Sequence, residues 1–382
     1  MDQVDVIVIG AGVVGLAAAC RLAQRWPEKS ILLLEKNRTF GLEMSARTSE
    51  VIHSGLYYPP GSFKARLCVS GKEKLYDFCT SWQVPYQRLG KLVIARNDEE
   101  AAKLDQLQEQ ALANGIADVT KLEPVAVARL EPNISCQAAL FSPSSGIVDT
   151  RTLLARLEQV GRKYGAMPVY QQTVTGIARM TGGYCVTYTD ASGRSDEVGC
   201  RCIVNAAGLG ADAVAAMAGI AVDQAGYRIY RCKGEYFSVA NEKAGLVSHL
   251  IFPASIRELK GSGIPVIKDM GGRLRLGPDA HYAANGLTDY RISPANARQF
   301  LAVVGSYLPF LEEDDLSADI AALRCRLLVA CGSPPRDFVI CHETERDLPG
   351  FVNLIGIESP GLTCCLSIAD LAGDMLTPLL DG

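Results

Sequence analysis

Apolar runs and amphipathic stretches follow one another along the chain, and their periodicity predicts the elements. The apolar run between Asp5 and Gly10 is typical of a strand buried on both faces. The Ala- and Leu-rich segment 13–25 predicts a helix, and 31–35 predicts a second buried strand that ends in an acid. By the same criteria we predict further helices over 63–80, 98–113, 151–164, 294–307 and 362–380, and further strands over 91–95, 169–179, 183–190, 200–206, 228–239, 246–252, 264–269, 273–277 and 351–355.

The order of these elements predicts an α/β protein in two parts. Strands and helices alternate near both ends of the chain, whereas several strands follow one another in the middle. We therefore predict a discontinuous, Rossmann-like, doubly wound domain formed by residues 1–85, 145–225 and 336–382. The remaining segments, 86–144 and 226–335, are predicted to form an α+β domain built on a mostly antiparallel sheet.

Composition and charge exclude several classes of function. The chain has 382 residues, a formal net charge of −4 and no run of Lys and Arg, which disfavours nucleic-acid binding. Its 13 cysteines are scattered without a Cys-x-x-Cys pair, so we predict small buried side chains and no metal site. No leader pattern precedes the first strand, and the longest apolar runs look too short to span a bilayer. We expect a cytoplasmic protein with at most peripheral membrane contact.

The turn after the first strand predicts a dinucleotide site. Gly10, Gly12 and Gly15 follow the strand and open the first helix. Gly10 suits a tight turn, Gly12 lets the backbone approach a pyrophosphate, and Gly15 lets the helix pack closely on the strand. The helix N-terminus offers N–H groups to the phosphates, and Glu35 would accept hydrogen bonds from the ribose while disfavouring NADP. The alternative is a glycine-rich turn that binds no ligand.

The segment after the second strand favours FAD over NAD. Residues 41–58 begin as a small polar loop with one arginine. Ser45, Arg47, Thr48 and Ser49 are candidates for a second set of pyrophosphate contacts. The alternative for these four residues is ordinary turn chemistry.

Four stretches of the chain resemble one family. They are Gly10–Gly15 with Glu35, Ser49–Tyr58 followed by Lys64–Cys68, Gly146–Asp149 with Asn205–Leu209, and Asn353–Thr363. The second stretch is the most specific, since it matches the pattern Ser-Glu-Val-Ile-His-x-Gly-x-Tyr-Tyr. Together they resemble the FAD-dependent D-amino-acid-oxidase-like oxidoreductase superfamily, with a closer likeness to the L-2-hydroxyglutarate dehydrogenase/oxidase group.

The resemblance implies that the Rossmann-like domain binds FAD and that the second domain binds the substrate. It implies that the loop 356–363 closes over the flavin, where a helix N-terminus suits the negative charge of the reduced ring. The alternative for this loop is a Pro-Gly turn into a helix. The further FAD contacts that follow are Val14, Lys36, Val174 on the adenine side, Ala207, Gly208, Gly356, Glu358, Ser359, Gly361, Leu362 and Thr363.

The resemblance also implies oxidation of a small 2-hydroxy acid by hydride transfer to flavin N5, which requires a base and a cation for the carboxylate. His53 is the candidate base or flavin-edge residue. The alternatives for His53 are a structural histidine beside the flavin or, in some relatives, a covalent flavin link. Arg324 is the candidate ligand of the substrate carboxylate. The alternative for Arg324 is a surface or interdomain salt bridge.

Three further residues are candidates on the same grounds. Tyr57, next to Tyr58, supplies a hydroxyl or simply packs. Lys233 and Tyr236 lie in Lys-Gly-Glu-Tyr, a motif that resembles a signature of the relatives. The alternative for Lys233 is a solvated strand end.

The chain departs from the family pattern at two places. Pro265 falls where the relatives usually carry a histidine, and their Arg-Pro-Lys is here Arg324-Cys-Arg326. Proline has no titratable group, so His53, His249 or Lys268 would have to do the work, or the substrate differs. An amine or amino-acid oxidase of the same superfamily and a flavin-binding paralogue with little activity are the alternatives. The electron acceptor, whether oxygen, a quinone or a partner flavoprotein, is left open by the sequence.

Overall fold

The computed structural model describes residues 2–255, 263–282, 288–328 and 336–381. The helices in these ranges are α1 (Val13–Arg25), α2 (Phe63–Ser81), α3 (Asp98–Ala113), α4 (Pro124–Leu130), α5 (Thr150–Lys163), α6 (Ala211–Met217), α7 (Ala297–Val304) and α8 (Gly361–Leu380). The strands are β1 (Asp2–Ile9), β2 (Ile31–Glu35), β3 (Val51–Ile52), β4 (Tyr86–Gln87), β5 (Lys91–Ala95), β6 (Thr120–Leu122), β7 (Ala138–Ser142), β8 (Gly146–Val148), β9 (Met167–Tyr170), β10 (Gln172–Met180), β11 (Gly183–Asp190), β12 (Ser195–Asn205), β13 (Ile229–Val239), β14 (Leu250–Pro253), β15 (Val266–Lys268), β16 (Leu274–Leu276), β17 (His281–Tyr282), β18 (Leu316–Leu327), β19 (Val339–His342) and β20 (Phe351–Ile355).

The first sheet is a parallel, Rossmann-like core. β9, β2, β1, β12 and β20 lie side by side in that order and run parallel, and β19 closes the edge in antiparallel orientation. The hairpin of β10 and β11 pairs with the first half of β12. The central strand β1 is apolar over Val6–Ile9 because both faces are covered, and those four side chains are at most 5% exposed. This sheet confirms the predicted doubly wound α/β class.

Helices cover the first sheet and join the two ends of the chain. α1 packs against α5 and α8, and α8 packs also against α2. Three contacts tie α1 to α8 and the residue after it: Arg21 to Asp370 at 2.7 Å, Arg25 to Asp374 at 2.6 Å, and the Trp26 indole to Asp381 at 2.5 Å. Among the described helices, only α8 is long and apolar enough to cross a membrane by length and composition, and more than half of it is buried inside the protein.

The second sheet is mostly antiparallel, as predicted. β18 and β13 pair along their whole length, and β16, β15, β14, β5, β7 and β6 follow across the sheet. Only β14 and β5, among the strand pairs described in this sheet, are parallel. β3, β8 and β4 form a small antiparallel sheet. The strands of 86–144 and 226–335 belong to this second sheet except β4, and the domain boundaries themselves stay a prediction.

Several elements match the prediction to the residue, and others differ for local reasons. Segments 13–25, 31–35, 91–95, 98–113, 183–190 and 351–355 are confirmed with the same bounds. The strand predicted over 169–179 is two strands, because Gln171 between them has a φ of 58°. The helix predicted over 294–307 is a 3-10 turn at Pro294–Asn296 followed by the short α7, which ends at Val304, immediately before Gly305.

Candidate functional site

A cavity of about 350 Å³ lies where the two sheets meet. One side is formed by residues after the carboxyl ends of parallel strands: Gly10 after β1, Glu35 at the end of β2, Ala206 after β12 and Ile357 after β20. Crevices at this edge of a parallel sheet are where open α/β folds bind ligands. The other side comes from the second sheet, through Tyr236, Phe252, Ile267 and Ala322–Arg324. The volume is within the range of cofactor and small-molecule sites.

The glycine turn is packed so closely against backbone atoms that two of its glycines leave no room for a Cβ. Gly10 has a φ of 104°, and a Cβ there would lie 2.7 Å from the Ala206 carbonyl oxygen. A Cβ on Gly15 would lie 1.8 Å from the Gly10 carbonyl oxygen, so α1 can approach β1 only without it. Gly10, Gly12 and Val14 border the cavity, whereas Gly15 lies behind them and shapes the turn. The N-terminus of α1, whose first N–H groups lack intrahelical acceptors, thus faces the cavity.

Glu35 is held in place by backbone donors. Its Oε2 accepts a 2.7 Å hydrogen bond from the Ala11 N–H, and its Oε1 accepts from the backbone and side-chain amides of Asn37 at 2.9 and 2.7 Å. The carboxylate is buried in the cavity wall and has further lone pairs for a ribose hydroxyl. Next to it, Lys36 lines the cavity and pairs with Glu43 at 2.6 Å.

The polar loop predicted to contact the pyrophosphate also lies in the wall. Ser45, Arg47, Thr48 and Ser49 all line the cavity. The Ser45 hydroxyl accepts a 2.9 Å hydrogen bond from the Val13 N–H and so caps α1 beside the glycine turn. The Arg47 guanidinium donates to the Ala321 carbonyl oxygen at 3.2 Å and lies 4.0 Å from the centre of the Tyr290 ring. At the far end, Val174 lines the cavity opposite Glu35 and Lys36, and Ala207 and Gly208 complete this part.

The loop before α8 forms the other end of the wall, but two of its predicted residues, Thr363 and Gly356, lie behind it. Glu358, Ser359, Gly361 and Leu362 line the cavity, so the N-terminus of α8 points into it. Thr363 does not line it and is fully buried. Its hydroxyl oxygen accepts the His53 N–H at 3.0 Å and lies 3.4 Å from the Val51 carbonyl oxygen. These two contacts connect β3 and the residue after it to α8. Gly356 also lies behind the wall, where a Cβ would be 2.6 Å from the Leu327 side chain.

Glu358 belongs to a buried charge cluster. Lys64 reaches its Oε1 at 3.1 Å and Arg326 its Oε2 at 3.0 Å. Burial alone would raise the pKa of this carboxyl, but the charges of Lys64, Arg326 and Arg324 outweigh burial and lower the pKa to about 2. The cluster fixes the loop before α8 to α2 and β18.

Three predicted catalytic residues lie in the cavity wall. His53, Tyr236 and Arg324 line it together with Phe252 and Pro265. The His53 Nε2 lies 3.3 Å from the Ser359 hydroxyl, and the ring meets Phe252 edge-on at 6.2 Å. Burial, and after it the charge of Lys91, lowers the pKa of His53 to about 3. The imidazole is therefore neutral at physiological pH, with an unprotonated ring nitrogen.

Arg324 is held by the backbone of a neighbouring loop. Its guanidinium donates to the Asp279 carbonyl oxygen at 2.6 Å. A Cβ on Gly234 would lie 2.2 Å from the Arg324 Nη2, so this glycine leaves room for the guanidinium on the adjacent strand. The Asp279 carboxylate accepts the Glu235 N–H at 2.8 Å and thereby fixes the loop.

Two of the candidate residues, Tyr57 and Lys233, do not line the cavity, which favours the alternatives considered for them. The Tyr57 ring packs behind Phe252, with ring centres 6.4 Å apart. The Lys233 ammonium pairs with Glu235 at 2.8 Å on its own strand, which turns it away from the site. Tyr58 packs against the helical core. The other substitutes considered for the missing histidine lie elsewhere, since His249 pairs with Glu131 and Lys268 donates to the Val247 carbonyl oxygen.

Three residues near the site were missed from the sequence. Lys64 lies in one of the matching stretches and in the first turn of α2, where a cation is unfavourable, and that placement was the available signal. Lys91 begins the otherwise apolar strand β5, and that isolated charge was the available signal. Asp279 had no signal, because only the fold brings it to Arg324.

The residues present fit FAD. The cavity is bounded by a glycine turn with no room for side chains, a buried carboxylate and the N-termini of two long helices, α1 and α8. The glycine turn and the N-terminus of α1 suit a diphosphate, the carboxylate suits a ribose, and the N-terminus of α8 suits an anionic ring system. Among the described residues, no group of His, Cys, Asp and Glu side chains could hold a metal ion.

Comparison with known proteins agrees with this geometry. The family model described as FAD dependent oxidoreductase (DAO) matches residues 5–375. The mitochondrial L-2-hydroxyglutarate dehydrogenase of Arabidopsis thaliana is 35% identical over 97% of this chain and 82% of its own length. The L-2-hydroxyglutarate dehydrogenase of Escherichia coli K12 is 31% identical over 72% of this chain and 64% of its own. The structure of L-alpha-glycerophosphate oxidase from Mycoplasma pneumoniae with FAD bound superposes with a TM-score of 0.86 at 25% identity, covering 99% of this chain and 95% of that one.

Proposed function

Because this chain belongs to the family of FAD-dependent oxidoreductases, we propose that it oxidises an L-2-hydroxy acid of the L-2-hydroxyglutarate type to the 2-oxo acid. The observation that carries the proposal is the presence of a neutral histidine and a buried arginine, His53 and Arg324, in the wall of the same cavity. A 2-hydroxy acid presents a hydroxyl proton and a carboxylate, which these two side chains match. The names of the relatives supply the substrate class.

FAD, when bound, supplies the acceptor for the hydride that leaves the substrate carbon. Residues of this chain that would hold it are the N-terminal turn of α1 for the diphosphate, Glu35 for the ribose, and the loop from Glu358 to Leu362 at the flavin end. Val174 and Lys36 would border the adenine. Leu362 and the first turn of α8 would place backbone N–H groups beside negative charge.

His53 would take the hydroxyl proton. Its ring is neutral because burial and the charge of Lys91 lower its pKa to about 3, and Ser359 lies within 3.3 Å of Nε2 to orient it. Pro265 in the same wall can neither accept nor donate a proton, so His53 is the group of this wall suited to the task.

Arg324 would hold the substrate carboxylate. Its planar guanidinium can bind both carboxylate oxygens, which fixes the substrate carbon relative to His53. The Asp279 carbonyl oxygen holds the guanidinium from behind, and Tyr236 and Phe252 provide the apolar wall.

The proposal is tested by anaerobic mixing of the FAD-loaded protein with substrates, followed at the visible flavin band. L-2-hydroxyglutarate is expected to bleach the band, while its D-enantiomer, glycerol 3-phosphate and a panel of amines and amino acids leave it oxidised. Bleaching by amines or amino acids alone would overturn the proposal in favour of CH–NH oxidation. Absence of bleaching by the whole panel would assign a flavin-binding role without this activity.

A cytoplasmic location stays a prediction, and the Arabidopsis thaliana relative is named as mitochondrial. The electron acceptor is addressed by the same preparation. Reoxidation of the bleached flavin in air, or only with a soluble quinone, distinguishes an oxidase from a dehydrogenase.

A further inference from the structure

Lys91 is a fully buried lysine beside the site. It opens β5, which lies between β14 and β7 in the second sheet, and it is 0% exposed. Within the described ranges, its ammonium has no hydrogen-bond acceptor and no carboxylate partner. Buried lysines are rare unless they are paired, because a cation loses its hydration there. Such a charge calls for an explanation in terms of function.

Two aromatic rings separate this ammonium from the cavity. The Lys91 Nζ lies 4.9 Å from the centre of the Phe252 ring and 5.2 Å from that of Tyr57. Phe252 lines the cavity on its other side and contacts His53. The faces of aromatic rings attract cations, so the two rings hold the ammonium in place without neutralising it.

Titratable groups of several elements surround His53: Tyr236 on β13, Arg324 on β18 and Glu358 before α8 share its cavity wall, and two more lie behind it. Lys91 on β5 is one, and Cys68 on α2 is the other, with its thiol donating to the His53 carbonyl oxygen at 3.4 Å. Burial lowers the pKa of Lys91 to about 8, partly offset by Cys68, so the side chain is an ammonium at neutral pH. Its charge is the second cause, after burial, of the low pKa of His53.

The negative charge of an anionic substrate would raise the pKa of His53, and the positive charge of Lys91 opposes that rise. A carboxylate placed beside His53 favours the protonated imidazole. A rise in the pKa of His53 lowers its unprotonated fraction at the acidic end of the pH range, and a protonated imidazole cannot accept the hydroxyl proton. A fixed positive charge behind the site counteracts that effect.

We propose that Lys91 is a positioning residue whose sealed ammonium offsets the charge of an anionic substrate, so that His53 enters the reaction unprotonated. The inference rests on the proposed function, since it takes His53 as the proton acceptor. It assigns to the strand start Gly90-Lys91 a role in setting the protonation state of the site.

The test is a pH titration of the histidine signals by NMR. The chain has 4 histidines, so 15N-histidine labelling gives few resonances, and His53→Gln identifies that of His53. FAD-loaded wild type, Lys91→Met and Lys72→Met are titrated with and without glutarate, a dicarboxylate that lacks the reacting hydroxyl. Lys72→Met is the matched control, since Lys72 is also a buried lysine but bonds Ser144 at 2.8 Å away from the site.

In Lys91→Met, the pH at which His53 takes up a proton is expected to rise by about one to three units, and more with glutarate than without. The acidic limb of the flavin-reduction rate should move by the same amount. Lys72→Met should follow wild type in both measurements. A folded, FAD-loaded Lys91→Met with an unchanged His53 titration would overturn the proposal.

A measurement on wild type alone guards against a variant that does not fold. The His53 resonance should show a second inflection near the pKa of Lys91, about 8, as the ammonium loses its proton. Absence of that inflection would also overturn the inference. Because neither NMR experiment needs turnover, their outcome is separate from the bleaching panel, which tests the proposed function.

Discussion

Replacing Glu358 by glutamine should destabilise the protein strongly. The carboxylate lies between Lys64 at 3.1 Å and Arg326 at 3.0 Å, and all three side chains are at most 11% exposed. The pKa of the carboxyl falls from 4.5 to about 2, with burial opposing the fall and the charges of Lys64, Arg326 and Arg324 overcoming it. A difference of that size corresponds to about 3 kcal/mol of stability. Glutamine also removes the anion that two buried cations share. Removing one partner of a buried ion pair typically lowers the free energy of unfolding by about 3–5 kcal/mol.

The sign of the pH dependence follows from the direction of the shift. Because the folded state has the lower pKa, the stabilisation is fully present above the unfolded value of 4.5 and is lost as the pH falls through about 2. The gap in unfolding free energy between wild type and Glu358→Gln should therefore narrow below pH 5.

Urea unfolding followed by circular dichroism measures this difference at pH 7 and at pH 4. Glu345→Gln, an exposed acid, is the control and should change the free energy of unfolding by less than about 0.5 kcal/mol. The double variant Lys64→Met/Glu358→Gln should regain part of the loss, because one uncompensated cation is removed. A Glu358→Gln protein as stable as the control would refute the reasoning from buried charge.

Four further predictions concern the cavity. Gly15→Ala should yield protein without flavin absorbance, because the new Cβ would lie 1.8 Å from the Gly10 carbonyl oxygen, whereas Gly245→Ala, with no atom within 4 Å, should purify yellow. Glu35→Ala should weaken FAD binding by about 10- to 100-fold in a fluorescence titration of the apoprotein, and unchanged affinity would remove Glu35 from the site. His53→Gln should slow flavin reduction by about 10²- to 10⁴-fold at saturating substrate, and a rate near wild type would exclude it as the base. Arg324→Leu should reduce kcat/KM for the hydroxy acid by about 10- to 100-fold, chiefly through KM, and an effect on kcat alone would contradict carboxylate binding.

The start of the fold could be predicted to the residue because its signals are local. β1, the glycine turn, α1 and β2 are specified by neighbouring residues, and the acid at the end of β2 falls within hydrogen-bond reach of the turn as expected. β18 was missed as a strand, since its first half, Leu-Ser-Ala-Asp-Ile, has little apolar pattern. Its pairing with β13 along the whole length is a non-local interaction that the sequence does not display.

In the site too, features set by local sequence could be predicted, and features set by contacts between distant segments could not. The motifs identified the correct segments, but the direction of a side chain depends on what packs around it. Tyr57 was a candidate either for a substrate contact or for packing, and it packs behind Phe252. Thr363 was expected at the flavin, but its hydroxyl bonds to the Val51 carbonyl oxygen of β3. Lys91 stands out as the one charge of an apolar strand, but its burial follows from β14 and β7, which pair with β5 on either side. Contacts between distant segments decided each of these cases.

The joining of the two ends of the chain by α1 and α8 has a consequence for biosynthesis. The cavity needs the turn at Gly10 and the loop ending at Leu362, and α8 holds them together through Arg21, Arg25 and Trp26. A nascent chain whose helix α8 is still inside the ribosome presents the diphosphate turn without the flavin end. The complete cavity can therefore form only after α8 has been synthesised, and a chain terminated upstream of α8 lacks the flavin end of the cavity.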